Sequence, residues 1–232
     1  MCIRDSRYYA AGLQPRTAEG NPYGEGYYDD FNTAVGLDSA GHTQLHHKGK
    51  LVIGVENTPT VIFDLMQFLV IDLGGVVGQI GMGQHGTAFG HAGMRMGPAI
   101  CYEGLYGDFY GDFVRRGAQF MAIISNDGWW GDTPGYKHLF TISRLRAIEH
   151  RRAIARSANT GMSGFISARG DIGETLGWEK RGVISAAVPL NSELTFYTRY
   201  GDYLGRISEY LTLLCVLYYI AYRVKRKNYL VK

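Results

Sequence analysis

The feature that most limits how this chain can fold is the stretch from Pro98 to Val188, where short apolar runs keep ending on small clusters of polar residues. Ala99-Ile100 runs into Cys101-Tyr102-Glu103, and Phe120-Met-Ala-Ile-Ile124 runs into Ser125-Asn126-Asp127-Gly128. Ile154 to Ser157 leads into Asn159-Thr160-Gly161, followed by Ser163 to Ser167 and a turn at Arg169-Gly170-Asp171. Runs this short, bounded by turn formers, read as strands, and Val183 to Val188 reads as one more buried strand. Between them, Phe109 to Gly117 has helical spacing, with Arg115 and Arg116 in its last turn and glycine as a stop. His138 to Arg152 predicts a second helix whose apolar positions are Leu139, Ile142, Leu145 and Ile148. Strands alternating with helices give an α/β layered fold, with chemistry expected where the strands end.

The first half is less regular. Residues 7 to 44 are rich in Gly, Tyr, Asn and Asp, with a strand at Phe31 to Leu37 and a turn at Asp38-Ser-Ala-Gly41. Leu45 to Val55 carries His46-His47-Lys48 ahead of Leu51-Val-Ile53. From Gly74 to Gly97 glycines recur so densely that tight hairpins or a mobile loop fit better than a packed helix. Residues 1–6 match nothing in this reading and are set apart as a leader of non-native character.

Composition narrows the class. Of 232 residues 46% are hydrophobic and 19% charged, enough to build a core and too little charge for disorder. A mean hydropathy of -0.13 excludes a polytopic membrane protein. Cys2, Cys101 and Cys215 are too scattered for a disulfide framework or a zinc site, so no metal is expected. The net charge of +3 is unevenly placed, because residues 223–232 hold five of the 24 basic residues and no acid. The remaining 19 basic residues face 21 acidic ones, so residues 1–222 carry -2. A near-neutral body argues against nucleic acid as a partner.

Cys101 stands between an apolar strand and a helix, where a thiol can be presented at a sharp turn with nearby amides to stabilise its thiolate. A buried small hydrophobe is the plainer alternative. Lys48 can stabilise negative charge on a tetrahedral intermediate or be a surface lysine. Trp129 and Trp130 follow a strand, where aromatic rings line clefts or interfaces. Glu149, on the second helix, is either a solvated salt-bridge partner or an inward-facing acid.

Taken together, five ordered islands carry a resemblance: His47-Lys48-x-x-Leu51-Val52, Pro98-x-x-Cys101-Tyr102-Glu103, Ser125-Asn126-Asp127-x-Trp129-Trp130-Gly131, Arg144-x-Arg146-Ala147-x-Glu149 and Arg156-x-x-Asn159-Thr160-Gly161. From about Phe31 to Gly173 the chain resembles the nitrilase-type carbon-nitrogen hydrolase superfamily, and within it the bacterial apolipoprotein N-acyltransferases. The resemblance implies a nitrilase-type four-layer αββα sandwich over residues 7–200 with a Glu-Lys-Cys catalytic set and no cofactor. Cys101 would take an acyl group from a phospholipid as a thioester and Lys48 would stabilise the oxyanion. Glu56, Glu103 and Glu149 would be supporting acids, and Tyr102 and Trp129 would line the approach of the acyl chain and the acceptor. The acceptor implied is the N-terminal amine of a diacylglyceryl apolipoprotein.

The departures matter too. The family's general-base glutamate follows a proline upstream of the lysine, and before Lys48 only Glu19 and Glu25 are present, both in a polar loop. Leu51-Val-Ile-Gly-Val-Glu56 stands where the family often has Leu-Val-Pro-Phe-Gly-Glu, and the family's N-terminal membrane helices have no counterpart. The sequence therefore reads as truncated at its N-terminus and inactive for want of the base. A soluble nitrilase-type amidase and a non-catalytic lipid- or lipoprotein-binding remnant are the competing readings.

Tyr210 to Tyr222 is uncharged but, at about 20 Å as helix, short of a bilayer core. Starting at Tyr203 gives a span of 203–222 that includes Arg206 and Glu209, with tyrosines for interface belts. The basic residues of 223–232 then mark the cytoplasmic side, which puts the catalytic domain on the periplasmic face of a bacterial inner membrane. An amphipathic core helix is the alternative.

Overall fold

The structure is a computed structural model and describes residues 2–8, 29–38, 40–52, 56 and 80–230. Strands β1 (Cys2–Tyr8), β2 (Asp29–Leu37) and β3 (Thr43–His47) form an antiparallel sheet in that order. Residues 2–6 of the segment set apart as a leader, for which the sequence offers no role, thus fall within β1 and pair with β2. Strands β4 (Phe89–His91), β5 (Met94–Ile100), β6 (Phe120–Ser125), β7 (Ile154–Ala158), β8 (Ser163–Ile166) and β9 (Ile172–Leu176) form a six-stranded sheet in chain order. β5, β6 and β7 are parallel, and the outer pairs are antiparallel.

Two helices make the parallel crossovers: α1 (Gly107–Arg115) joins β5 to β6, and α2 (Pro134–His150) joins β6 to β7. Their inner faces meet the sheet in one apolar core of Tyr110, Phe113, Val114 and Phe140 against Ala99, Met121, Ile123, Ile154 and Ile166. Each large side chain buried there contributes about 1.5–3 kcal/mol. On the other side β2 packs against β5, and Gly36 lies against the Phe89 ring. Helix, sheet and sheet are three of the four expected layers. Glu19, Glu25 and the region from Gly74 to Gln79 lie outside the described residues.

Three expectations need correction. The apolar face of α2 is not Leu139, Ile142, Leu145 and Ile148. Leu145 is 49% exposed and Ile148 40%, while Tyr136, Leu139, Phe140, Ser143, Arg146, Ala147 and His150 are buried. Steps of three residues advance about 300° on a helix, so that series winds around the axis, whereas the buried set mixes threes and fours. The helix also starts earlier than His138: Thr133 caps it by accepting from the Gly135 amide, with Pro134 following, and it ends at Arg151 in the left-handed region (φ +50°). Finally, Val183 to Val188 is not a strand. β9 occupies the edge beside β8, leaving that run without a partner, and Val183 is 96% exposed.

After α3 (Phe196–Tyr200) comes α4 (Tyr203–Leu230), a 28-residue helix that continues through the basic segment instead of stopping at Tyr222. Its stretch Tyr203–Arg223 is long and apolar enough to cross a membrane, and none of its most apolar window is buried against the domain.

Candidate active site

The parallel strands stop together. Ile100 aligns with Ile124, Ile124 with Ser157, and Ser125 with Ala158, so Cys101, Asp127 and Asn159 all lie just beyond one edge of the sheet. Cys101 is half-buried and has φ +46°, a conformation a side chain rarely adopts and that bends the chain abruptly out of β5. The chain then makes a short 3₁₀ turn, Cys101–Leu105, not the helix expected there; α1 begins only at Gly107. Local turn amides therefore serve the thiol more directly than a helix dipole does.

Lys48 leaves the end of β3 on the second sheet, with its backbone amide donating to the Asn32 carbonyl of β2 (2.8 Å). Its side chain is 2% exposed, and Nζ donates to both oxygens of Glu56 at 2.7 Å. Glu56 also accepts from Asn32 Nδ2 (3.0 Å) and from the Val52 amide (2.8 Å). A buried ammonium needs such a partner to stay charged. Gly83 comes so close behind that a Cβ there would sit 2.1 Å from the His47 carbonyl oxygen, and its amide donates to the Lys48 carbonyl. Part of the glycine-dense stretch is thus the backing of the lysine turn.

Glu103 joins the two halves. Its fully buried carboxylate accepts at 2.6 Å from the amide of Gly49, the residue after Lys48, and at 2.6 Å from the amide of Ile100, the residue before Cys101. Its reach back to Ile100 is one arm of a capping box. One side chain thereby ties the lysine turn of one sheet to the cysteine turn of the other. His46 Nε2 lies 3.1 and 3.2 Å from the two Glu103 oxygens.

A second buried pair shapes the rim. Arg156 Nη2 donates to both Asp127 oxygens (2.8 and 3.0 Å), Ser125 Oγ donates to Asp127, and the Asp127 amide donates to Asn159 Oδ1. These residues are visible in the sequence as islands without a role; their role is to fix the loop after β6. That loop carries Trp129 (53% exposed) and Trp130 (45%) in the turn Gly128–Trp130. Tyr102 stacks edge-on to Tyr106, with ring centroids 5.5 Å apart, beside a cavity of about 340 Å³ lined by Lys50, Tyr106 and Phe109 among others.

A carbon-nitrogen hydrolase profile matches residues 8–194. The chain belongs to the carbon-nitrogen hydrolase family. It is 36% identical over 181 residues to the apolipoprotein N-acyltransferase of Chlorobaculum tepidum, covering 75% of this chain and 34% of that one. It is 33% identical over 188 residues to the same enzyme of Verminephrobacter eiseniae, covering 79% and 34%. The chain thus spans about a third of the length of these relatives. Among solved structures it is similar to yeast Nit3 of the nitrilase superfamily, with a TM-score of 0.48, 18% identity, and coverage of 66% and 51%. Within this carbon-nitrogen hydrolase domain, Cys101, Lys48, Glu56, Glu103 and Tyr102 gather at one place.

Glu149 does not join that cluster by any contact. It sits on α2 with Oε1 accepting from Arg146 Nη2 (2.8 Å), while Arg146 Nη1 donates to the Leu105 carbonyl at the end of the cysteine turn. Burial pushes its carboxyl above the usual range, against the lowering effect of Arg146. Among the described residues, Arg146 links it to the cysteine turn by hydrogen bonds.

Proposed function

We propose that this domain carries out N-acyl transfer, taking a fatty acyl group from a phospholipid and passing it to the N-terminal amine of a diacylglyceryl apolipoprotein. The observation that supports this most is the Glu103 carboxylate binding the Gly49 and Ile100 amides, which ties the turn carrying the half-buried thiol to the turn carrying the buried lysine. Sequence similarity to N-acyltransferases adds the substrate class.

In the first half-reaction Cys101 Sγ attacks the ester carbonyl. The S–C bond forms, negative charge collects on the carbonyl oxygen, and the ester C–O bond breaks as the lysophospholipid alkoxide leaves with a proton. Lys48, held in place by its ion pair with Glu56, stabilises the oxyanion. In the second, the acceptor amine attacks the thioester carbonyl, the N–C bond forms, the C–S bond breaks, and the proton given up by the amine nitrogen returns to the Cys101 sulfur. Tyr102 and Trp129 line the approach. α4 anchors the domain in a bacterial inner membrane, with its basic end in the cytoplasm and residues 1–200 in the periplasm.

The test is to incubate the full chain with vesicles of phosphatidylethanolamine labelled in the acyl chain. A hydroxylamine-labile label on the wild type that is lost in Cys101→Ser is expected, and it would overturn the expectation that the chain is inactive without the family's upstream glutamate. No label on a folded wild type would defeat catalysis by this chain. Release of the protein from membranes without detergent would defeat the anchored reading in favour of a soluble amidase.

A further inference from the structure

His46 is a buried group beside the cysteine and lysine turns that takes no part in the acyl-transfer steps. It sits two residues before Lys48, is 1% exposed, and packs edge-on against Phe113 of α1 with ring centroids 4.8 Å apart. Its Nε2 reaches both oxygens of Glu103, while its Nδ1 is buried without a hydrogen-bond partner among the described residues. A carboxylate that already accepts from two amides can only accept, so the imidazole must donate from Nε2. Leaving Nδ1 unsatisfied costs free energy, and the ring keeps this orientation all the same. An apolar ring of the same size would fill the space against Phe113 without that cost.

We infer that His46 is a positioning residue for the reaction: by donating Nε2–H to Glu103 it fixes the carboxylate that holds the Lys48 and Cys101 turns at reacting distance. The inference rests on the acyl-transfer reading for its substrate but not for its geometry. Glu103 binds Gly49 through Oε1 and Ile100 through Oε2, and rotation of the carboxylate by a fraction of a turn would release one amide. The strained φ of Cys101 gives that turn reason to relax once released. The third donor, spanning both oxygens, opposes the rotation. Holding the turn in place also keeps the thiol among the backbone amides of that turn, the surroundings on which thiolate reactivity depends.

Two substitutions separate donation from packing. His46→Gln keeps an N–H near the position of Nε2; His46→Phe keeps the ring against Phe113 and removes the donor. In the full chain in detergent, H46F is expected to lose acyl transfer on the order of 10- to 100-fold in kcat, with KM within about twofold. H46Q is expected to stay within about threefold of wild type, inside the range a preserved hydrogen bond allows. Iodoacetamide alkylation of Cys101, followed by peptide mass, needs no acyl donor. Its midpoint pH should move upward in H46F and not in H46Q, with both variants melting cooperatively. Equal losses in the two variants, a change in KM alone, or an unmoved alkylation profile in H46F would overturn the inference. Should H46F not fold, His46→Met supplies a donorless side chain for the same comparison. A wild type that is alkylated normally but transfers no acyl group would defeat the acyl-transfer reading alone, and the alkylation profiles would still decide the role of His46.

Discussion

Two glutamate–histidine clusters connect to the cysteine turn, one fully buried and one part-buried, and they are built in opposite ways. At Glu103 and His46 every carboxylate oxygen is met by donors: two backbone amides and an imidazole. At Glu149 and His150 the two side chains stand 4.0 Å apart, and four groups are buried without a hydrogen-bond partner among the described residues: Glu149 Oε2, His150 Nε2, Arg146 Nε and the Tyr110 hydroxyl. Desolvation governs there. It raises the Glu149 carboxyl and, together with the Arg146 charge, drops His150 from 6.5 to about 3. The first cluster holds the lysine and cysteine turns together. The second packs α1, α2 and α3 together where α4 departs, with His150 Nδ1 2.9 Å from Thr198 Oγ1 and the Thr195 hydroxyl donating to the Glu149 carbonyl. The same two residue types thus give a hydrogen-bonded brace in one place and a desolvated wedge in the other.

One substitution applied to both clusters gives the sharpest contrast. Glu103→Gln places an amide NH₂ against a backbone N–H 2.6 Å away, so about 3–5 kcal/mol of stability should be lost in denaturant unfolding, with acyl transfer abolished. A loss under about 1 kcal/mol would break the comparison. His150 comes next. Between pH 6.5 and about 3 the unfolded chain takes up a proton that the folded chain refuses, so stability falls as pH falls through that window. A few kcal/mol should be recovered there by His150→Asn, read as a flatter acid limb of the melting temperature. Arg146→Met leaves the Glu149 carboxyl without its cation and the Leu105 carbonyl without its donor, at a cost of about 1–3 kcal/mol. Smallest is Glu149→Gln, expected within about 1 kcal/mol of wild type because its carboxyl is already desolvated. Its folded pKa is raised, so wild type loses stability as pH climbs through that range, and E149Q should remove this slope. A large loss in E149Q would move Glu149 from the wedge to the brace.

Much of the site is legible in the sequence because its residues occupy strand ends, and strand ends are where apolar runs stop. Cys101, Lys48, Glu56 and Glu103 can be named from their islands. Their partners cannot, because a hydrogen bond between Gly49 and Glu103 links positions 54 apart on different sheets. His46 is hidden for the same reason, and its only signal is its place two residues before the lysine. The Asp127–Arg156 pair likewise shows no task in the sequence, since β6 and β7 become neighbours only through the parallel register. The partners of Glu149 are equally hidden, because helical position says which face a residue shares but not what lies opposite.

By itself the sequence determined the alternation of strands and helices, the segments that carry the chemistry, and a long apolar helix with a basic end, all of which depend on local periodicity and composition. The tertiary structure decided which face of α2 is buried, that β9 and not Val183 to Val188 takes the sheet edge, and which buried acid braces the catalytic turns. Those outcomes depend on contacts between residues far apart in sequence, where pairing and desolvation, not local propensity, set the energy.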